Sequence, residues 1–453
     1  MASGTMIRDM TEGPVVSQLF RFALPLFFSN ALQAVYNLVD MVIVGNCIGA
    51  AGMSAVSIGG DILHLLTFVA MGFSSAGQVI IARAVGAKQY DTIRKTIGTM
   101  FTFLLSASVV IAAVCFLLRD SVLDWLNTPS AAADFAMDYM VTCICGLVFI
   151  YGYNIVSAIL RGMGDSRRPF IFIAIAAVLN TVLDILFVKY VGLEVFGAAL
   201  ATVIGQGVSF ILAIVYLYRR KESFGFDFRP RSFRIDGAAF RQLLALGIPM
   251  AIQSAAISFS KIILTSWINL FDVTYSALAG IFNKVNIVSG VISMSFTTAG
   301  STMAGQNLAA GKHRRVNQIL AAVLAVGLAL ALAFTLVMLL WPDAVYRAFT
   351  PDKDVLAAAG VLTVPIILNF YGSATRSGAF SLINGSGRPK LNLAIALIDG
   401  VIARIGLAAL LGFALRLDCF GFWMGDSLAG FMPLVIGGAF YLSGRWKETT
   451  KTA

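Results

Sequence analysis

Twelve apolar runs dominate the chain, each about as long as a bilayer is thick. They lie near residues 17–45, 54–83, 95–118, 135–160, 168–189, 195–218, 242–270, 274–307, 316–341, 355–384, 391–415 and 420–444. About twenty apolar residues in a helix cross the hydrocarbon core. Hydrocarbon offers backbone N–H and C=O groups no partner, so segments of this kind have to be helical. The expected fold is an all-α polytopic membrane protein. Charged residues make up 12% of the chain, about half of the ~25% usual in soluble domains. Several runs exceed the crossing length, so they are expected to tilt, bend or protrude.

The basic residues test this count. With both termini cytoplasmic, the segments assigned to the inner side hold 24 of the 33 Lys and Arg, and the outer segments hold five. The other four (Lys261, Lys284, Arg376, Arg404) fall inside runs. That asymmetry obeys the positive-inside rule. It also accounts for the net charge of +10 by topology, so no nucleic acid partner is expected. The first sixteen residues lack the basic start, short apolar core and small-residue cleavage site of a signal peptide. The first run is therefore expected to direct insertion into the cytoplasmic (inner) membrane. The five cysteines read as small buried hydrophobes.

The longest basic connection, residues 219–241, divides the chain into a six-helix lobe at 1–218 and another at 242–453. The halves are alike. "LFRFALPLFFSNALQ" resembles "LLALGIPMAIQSAAI", placing Pro25 against Pro249. "MGFSSAG" at 71 matches "MSFTTAG" at 294, and "ILRGMGDSRRP" at 159 matches "LINGSGRP" at 382, both pairs starting 223 residues apart. Six spans per half preserve orientation, so the expected architecture is two pseudo-symmetric six-helix bundles around a central cleft.

"ALPLFFSNALQAVYNLVDMVIVG", the "GAK" after the second run and "RGMGDSRRP" after the fourth resemble the multidrug and toxic compound extrusion (MATE) family, over almost the whole chain. The Asp in the first run resembles its DinF-like branch most. The resemblance implies a cation-coupled exporter (H⁺ or Na⁺) of small amphipathic, often cationic, organic compounds, acting as a monomer in the lipid bilayer by alternating access, without a cofactor. The family's amino-lobe cation site maps onto Asp40, onto Asn180 and Asp184 in "NTVLD", and onto the Ala198 carbonyl and Thr202 in "GAALAT". Tyr139 matches a tyrosine near that site. A related branch binds its cation in the carboxy lobe through acids on helices 7 and 10. Here those helices carry Lys261 and Arg376, so no second cation site is expected.

The residues support the same site without the name. Asp40, Asp184 and Thr202 fall at similar depth in the outer half of the bilayer at ~1.5 Å per residue. Asn180 and Asp184, like Ala198 and Thr202, are one turn apart and share a face. A carboxylate at membrane depth costs about 2.5–3.5 kcal/mol on insertion scales. Two in one bundle disfavour each other's charge, so the pair can hold a shared proton or a cation. Carboxylate, amide, hydroxyl and carbonyl oxygens form a hard-oxygen set at Asp40, Asn180, Asp184 and Thr202 that suits Na⁺. The alternative for this cluster is a helix-fixing hydrogen-bond network without an ion cycle.

Gln33, Tyr36, Asn37, Asp61 and Asn154 are candidate substrate contacts, and Pro25 a candidate hinge. In the carboxy lobe the basic groups either pair with Asp399 and helix-end carbonyls or attract an anion. The second possibility keeps a rival function open: a flippase for a lipid-linked or anionic amphiphile. An intramembrane enzyme is disfavoured because no H-E-x-x-H motif is present and His64 and His313 stand alone. A receptor or scaffold would leave the duplicated cleft and the acid pair unused.

Overall fold

The computed structural model describes residues 7–126 and 128–451. Eleven helices among them are long and apolar enough to cross a membrane, and a bent pair forms a twelfth span. In chain order they are α1 (Val15–Ile48), α2 (Ala50–Gly86), α3 (Tyr90–Leu117), the bent α4 (Ser130–Cys145 with Leu147–Gly162), α5 (Arg167–Val191) and α6 (Glu194–Arg219). The second half holds α7 (Gly237–Ile268), α8 (Val273–Ala309), α9 (His313–Leu340), α10 (Lys353–Ser386), α11 (Pro389–Ala414) and α12 (Asp418–Leu442). Each of the twelve runs read from the sequence corresponds to one span, and the fold is all-α and polytopic. The repeat reaches into the connections: short helices Arg119–Trp125 and Pro342–Arg347 follow α3 and α9. At 37 residues each, α2 and α8 run far past the ~20 needed to cross.

Glycines shape the spans at specific places. The halves of α4 meet at 48° across Gly146, where a side chain would collide with Val203 of α6. The break and the close approach thus have one cause. After α4, Gly164 adopts φ +87°, and Asp165 accepts hydrogen bonds from the backbone N–H groups of Arg167 and Arg168 at 3.0 and 3.3 Å. The "GDSRRP" motif is therefore a turn followed by a side-chain cap on the start of α5.

The chain divides into two compact units, residues 1–8 with 24–247, and residues 9–23 with 248–453. The division crosses α1 between Ala23 and Leu24 and α7 between Gly247 and Ile248. Both crossings lie one residue before a proline, Pro25 and Pro249. In the first unit, Val44, Ile62, Tyr139, Val188 and Val195 belong to one apolar core. In the second, Leu278, Phe282, Phe422 and Trp423 anchor another. Exposed Val109, Val110, Val178 and Val182 form the surface that hydrocarbon wets. Of the cysteines, Cys143 and Cys419 are buried as expected, but Cys47 and Cys145 are exposed.

The basic connection is no slack tether. Phe226 and Phe228 pack edge-on at 4.9 Å, Phe226 meets Phe233 at 5.3 Å, and Phe233 meets Phe101 of α3 at 5.7 Å. Thr102 Oγ1 donates to the Phe233 carbonyl at 2.6 Å, and the Asp236 N–H donates to Thr99 Oγ1 at 3.0 Å. In the other unit, residues 10–18 are held comparably. Arg315 donates to the carbonyls of Met10, Glu12 and Gly13 at 2.6–3.2 Å, and Lys312 to Thr11. Basic residues thus tie down the first of these segments, at 10–18, and aromatic and threonine contacts the connection.

Gly98 lies directly beneath the Ser232 carbonyl, where a Cβ has no room. Gly98→Val is expected to lift residues 229–236 off α3, at a cost of about 1–3 kcal/mol. Limited trypsin digestion reads this: cleavage at Arg231 and Arg234 should speed up several-fold, and an unchanged rate would show that the docking is not tight.

Candidate cation-coupling site

Asp40 stands eight residues before the end of α1, Asp184 seven before the end of α5, and Thr202 eight after the start of α6. The three therefore share a depth more closely than the sequence-based helix ends suggested, because those ends were set too early. Asp184 is the last α-helical residue before a π-helical turn, Ile185–Val191, a type of distortion frequent at functional sites.

Asp40, Asn180, Asp184 and Thr202 are all buried. Thr202 Oγ1 is the hub, accepting from Asn180 Nδ2 and donating to Asp40 Oδ2, each at 3.4 Å. The Asp40 and Asp184 carboxyl groups face each other closely enough to interact directly. Asp40 Oδ1, Asn180 Oδ1 and both Asp184 oxygens are buried without a donor. Two ionised carboxylates offer each other only acceptors. A proton on one supplies the missing donor, and a small hard cation would be served by all four oxygens. Left bare, the two charges would meet the full penalty of burial.

Ala198 is fully buried one turn before Thr202 and packs in the same apolar core as Val44, Tyr139 and Val188. These residues cover the site toward the ends of α1 and α5. Tyr139 presses its ring on Gly59 of α2, where no Cβ fits, and it lies within electrostatic reach of Asp40, Tyr36 and Asp184. Tyr36, one turn before Asp40, accepts from Gln206 Nε2 at 3.4 Å. Gln206 was not singled out from the sequence. Its signal was there, since it follows Thr202 by one helical turn and so shares its face. Thus two polar rungs, Asp40–Thr202 and Tyr36–Gln206, join α1 to α6.

The remaining candidates are less closely joined. Gln33 and Asn154 are half-buried, and Asn37 and Asp61 lie on exposed faces. Asn154 Nδ2 donates within its own helix, to the Ile150 carbonyl at 2.8 Å. Pro25 lies inside a continuous α1, and Ser29 Oγ donates to its carbonyl at 2.8 Å.

The carboxy-terminal unit treats its buried charge differently. Asp399 Oδ1 takes Arg376 Nη2 at 2.9 Å and Arg404 Nη2 at 3.3 Å. Arg404 Nη1 pairs in turn with Asp426 of α12. Arg376 and Arg404 therefore pair with Asp399, as one of the two readings above has it, whereas no such pair is seen for Lys261 or Lys284 among the described residues. Asp426 was not identified as their second partner from the sequence. Lys284 lies on an exposed face of α8.

With this geometry in hand, the chain can be set beside known proteins. The MatE family model matches residues 25–186 and 249–410, one copy in each half. The chain belongs to the MatE family. It is 31% identical over 309 residues to the probable multidrug resistance protein YpnP of Bacillus subtilis (strain 168), covering 68% of each chain. It is 26% identical to the probable multidrug resistance protein YoeA of the same strain, covering 93% of this chain and 92% of that one. Solved structures described as MATE in the bent conformation and in the straight conformation superpose with a TM-score of 0.88 at 21% and 20% identity, covering each chain completely. The family is one of transporters; this MatE protein is a multi-pass membrane protein and not an enzyme.

The like-charge contact predicts an unusual order of stabilities. Asp184→Asn supplies an amide that can donate to Asp40, so in alkaline, sodium-free buffer it is expected to melt above the wild type. Thr202→Val removes both hydrogen bonds of the hub and is expected to cost about 1–3 kcal/mol. Thermal melts of the purified proteins check both. A lower melting point for Asp184→Asn would mean that the two carboxylates do not repel.

Proposed function

We propose that this MatE protein is a cation-coupled antiporter that exports amphipathic organic compounds by alternating access, and that Asp40 and Asp184 carry the coupling ion, H⁺ or Na⁺. The supporting observation is the buried acid pair with its undonated oxygens. The relatives' names, multidrug resistance proteins, support drug-like substrates. Asp40 in α1, with Asn180, Asp184 and Thr202, supports the DinF-like branch. The protein works as a monomer in the cytoplasmic membrane with both termini inside.

The coupling follows from charge. An ion or proton entering between the acids removes their repulsion and draws α1 toward α5 and α6. Its loss reverses the pull. Pro25 withdraws one backbone donor from α1, so the helix is weakest there and yields when its other end is pulled. Substrate and ion thus compete through the conformation of α1, without touching. Binding the ion to one conformation more tightly than to the other is sufficient to shift the population.

Reconstituted vesicles under separately imposed H⁺ and Na⁺ gradients test this. Efflux of an amphipathic cationic dye is expected under at least one gradient, and Asp40→Asn and Asp184→Asn are each expected to lower it at least about tenfold. Gradient-driven efflux that survives both substitutions would overturn the role of the pair. Gradient-independent movement of lipid-linked amphiphiles, without dye efflux, would establish a flippase instead.

A further inference from the structure

The connection between α6 and α7 sorts its side chains by kind. Phe224 and Phe226 are buried, and Phe228 meets Phe226, Tyr218 and Phe224 at 4.9, 5.5 and 6.5 Å between ring centroids. The contact with Tyr218 brings the end of α6 beside the connection, so residues 218–221 and 226–233 lie together. The polar face of this assembly is basic. Arg219, Arg220, Arg231 and Arg234 are exposed, and among the described residues none of the four has a carboxylate within ion-pair distance. The neighbouring acids are engaged elsewhere. Asp227 holds Arg229 at 3.7 Å and the Ser232 hydroxyl, and Asp236 accepts from the N–H groups of Ala238 and Ala239 at 3.1 and 3.0 Å. Glu222, also exposed, is the one acid of residues 219–236 left to set against the four arginines. The height of this face follows from α3. Thr99 and Thr102, which hold the connection, lie nine and twelve residues into that 28-residue helix, about 14–18 Å from its start at 1.5 Å per residue. About twenty residues cross the hydrocarbon, so this is the part of α3 where the span leaves it. The connection is therefore laid along the side of α3 at the level of the phospholipid headgroups. Exposed Tyr218 and Ile235 accompany the arginines there.

We propose that this docked basic face binds the phosphate groups of anionic phospholipids. Arg219, Arg220, Arg231 and Arg234 meet the headgroups, and Tyr218 and Ile235 lie toward the acyl chains. The guanidinium fork matches phosphate oxygens two at a time. Each basic residue beside an anionic surface adds about fivefold in affinity. The phenylalanine anchors and the two threonine bonds fix the backbone beforehand, which lowers the ordering cost of binding. A solvated loop of equal charge would satisfy the positive-inside rule as well, but it would not hold its arginines on one face. The partner is the membrane beside the protein, whatever compound is transported.

Native mass spectrometry of the purified full-length protein, titrated with dioleoyl-phosphatidylglycerol and with dioleoyl-phosphatidylcholine, tests this apart from transport. The anionic lipid is expected to bind at least about tenfold more tightly than the zwitterionic one. Replacing the four residues together, Arg219→Gln, Arg220→Gln, Arg231→Gln and Arg234→Gln, should bring the two affinities within about twofold. The corresponding four lysine substitutions should keep most of the preference. Gly98→Val retains every charge but lifts the connection off α3, and it should lower the preference several-fold. Four charges removed from connections at the other ends of the spans, by Arg119→Gln, Lys189→Gln, Arg347→Gln and Arg416→Gln, should leave it unchanged. Equal binding of the two lipids by the wild type, or a preference that survives the four-arginine variant, overturns the proposal. So does an equal loss in the opposite-end variant, which would make the effect one of net charge. An unchanged preference in Gly98→Val overturns the docked face as the binding surface. If the four-arginine variant does not fold, the two lipids on the wild type and on Gly98→Val decide the question.

Discussion

Charge buried in hydrocarbon has to be neutralised, and this chain neutralises it in two different ways. Around Asp40 and Asp184 the surroundings are a hydroxyl, an amide and apolar walls. Among the described residues no Lys or Arg is paired with either acid, so the fold itself supplies no counter-charge there. Around Asp399 and Asp426 the counter-charges are arginines, built into the fold. An acid pair without a fixed partner can cycle; an acid locked between two guanidinium groups cannot do so at any modest cost, because breaking a buried pair costs several kcal/mol. The duplicated halves thus share an architecture and have divided the electrostatics.

The comparison of repeats sharpens this. Counting from Pro169 and Pro389, Arg404 occupies the position of Asp184. Both residues sit where a π-helical stretch meets α-helix, Asp184 before Ile185–Val191 and Arg404 after Ile398–Ala403. The two stretches are not in the same register, however: one begins after Asp184 and the other ends before Arg404. What differs at the shared repeat position is the sign of the charge, an acid in the first half and a guanidinium in the second.

Much of this was legible in the chain, for physical reasons that can be named. Helix spans show in a membrane protein because hydrocarbon penalises each exposed polar group, and Asp40 and Asp184 stood out against that background. The partners one turn away, Asn180 and Thr202, followed from helical period. Gln206 obeys the same period but escaped notice, since a neutral amide in an apolar run is a weaker anomaly than an acid. Asp426 escaped because it sits among small and polar neighbours, glycines and a serine near Trp423, where an acid is less of an anomaly than Asp40 is in its apolar run. The docked connection was hidden for a different reason: seven basic residues suggest a solvated loop, whereas the fixing groups are Phe226, Phe228 and Phe233, whose partners on α3 are more than a hundred positions away in sequence.

The prolines show how little sequence is needed to place a weak point. Pro25 and Pro249 each remove a backbone donor, and each follows by one residue the place where its helix passes from one compact unit to the other. The carbonyl that Pro25 leaves without its helix donor is that of Arg21, one turn earlier; just after the proline, Ser29 Oγ bonds back to the Pro25 carbonyl. After Pro249, Ser254 Oγ bonds back to the Met250 carbonyl, one residue further on, at 3.4 Å. The two helices are therefore softened at the same register, and each carries a serine back-bond just beyond its proline. Only α1, however, carries an unpaired acid beyond its proline. A force applied at Asp40 has fifteen residues of helix through which to act before it meets Pro25, whereas the comparable stretch of α7 holds Lys261 beside a cluster that arginines already lock. The duplication supplied two proline-softened helices, and of the two only α1 carries a buried acid beyond its proline, Asp40.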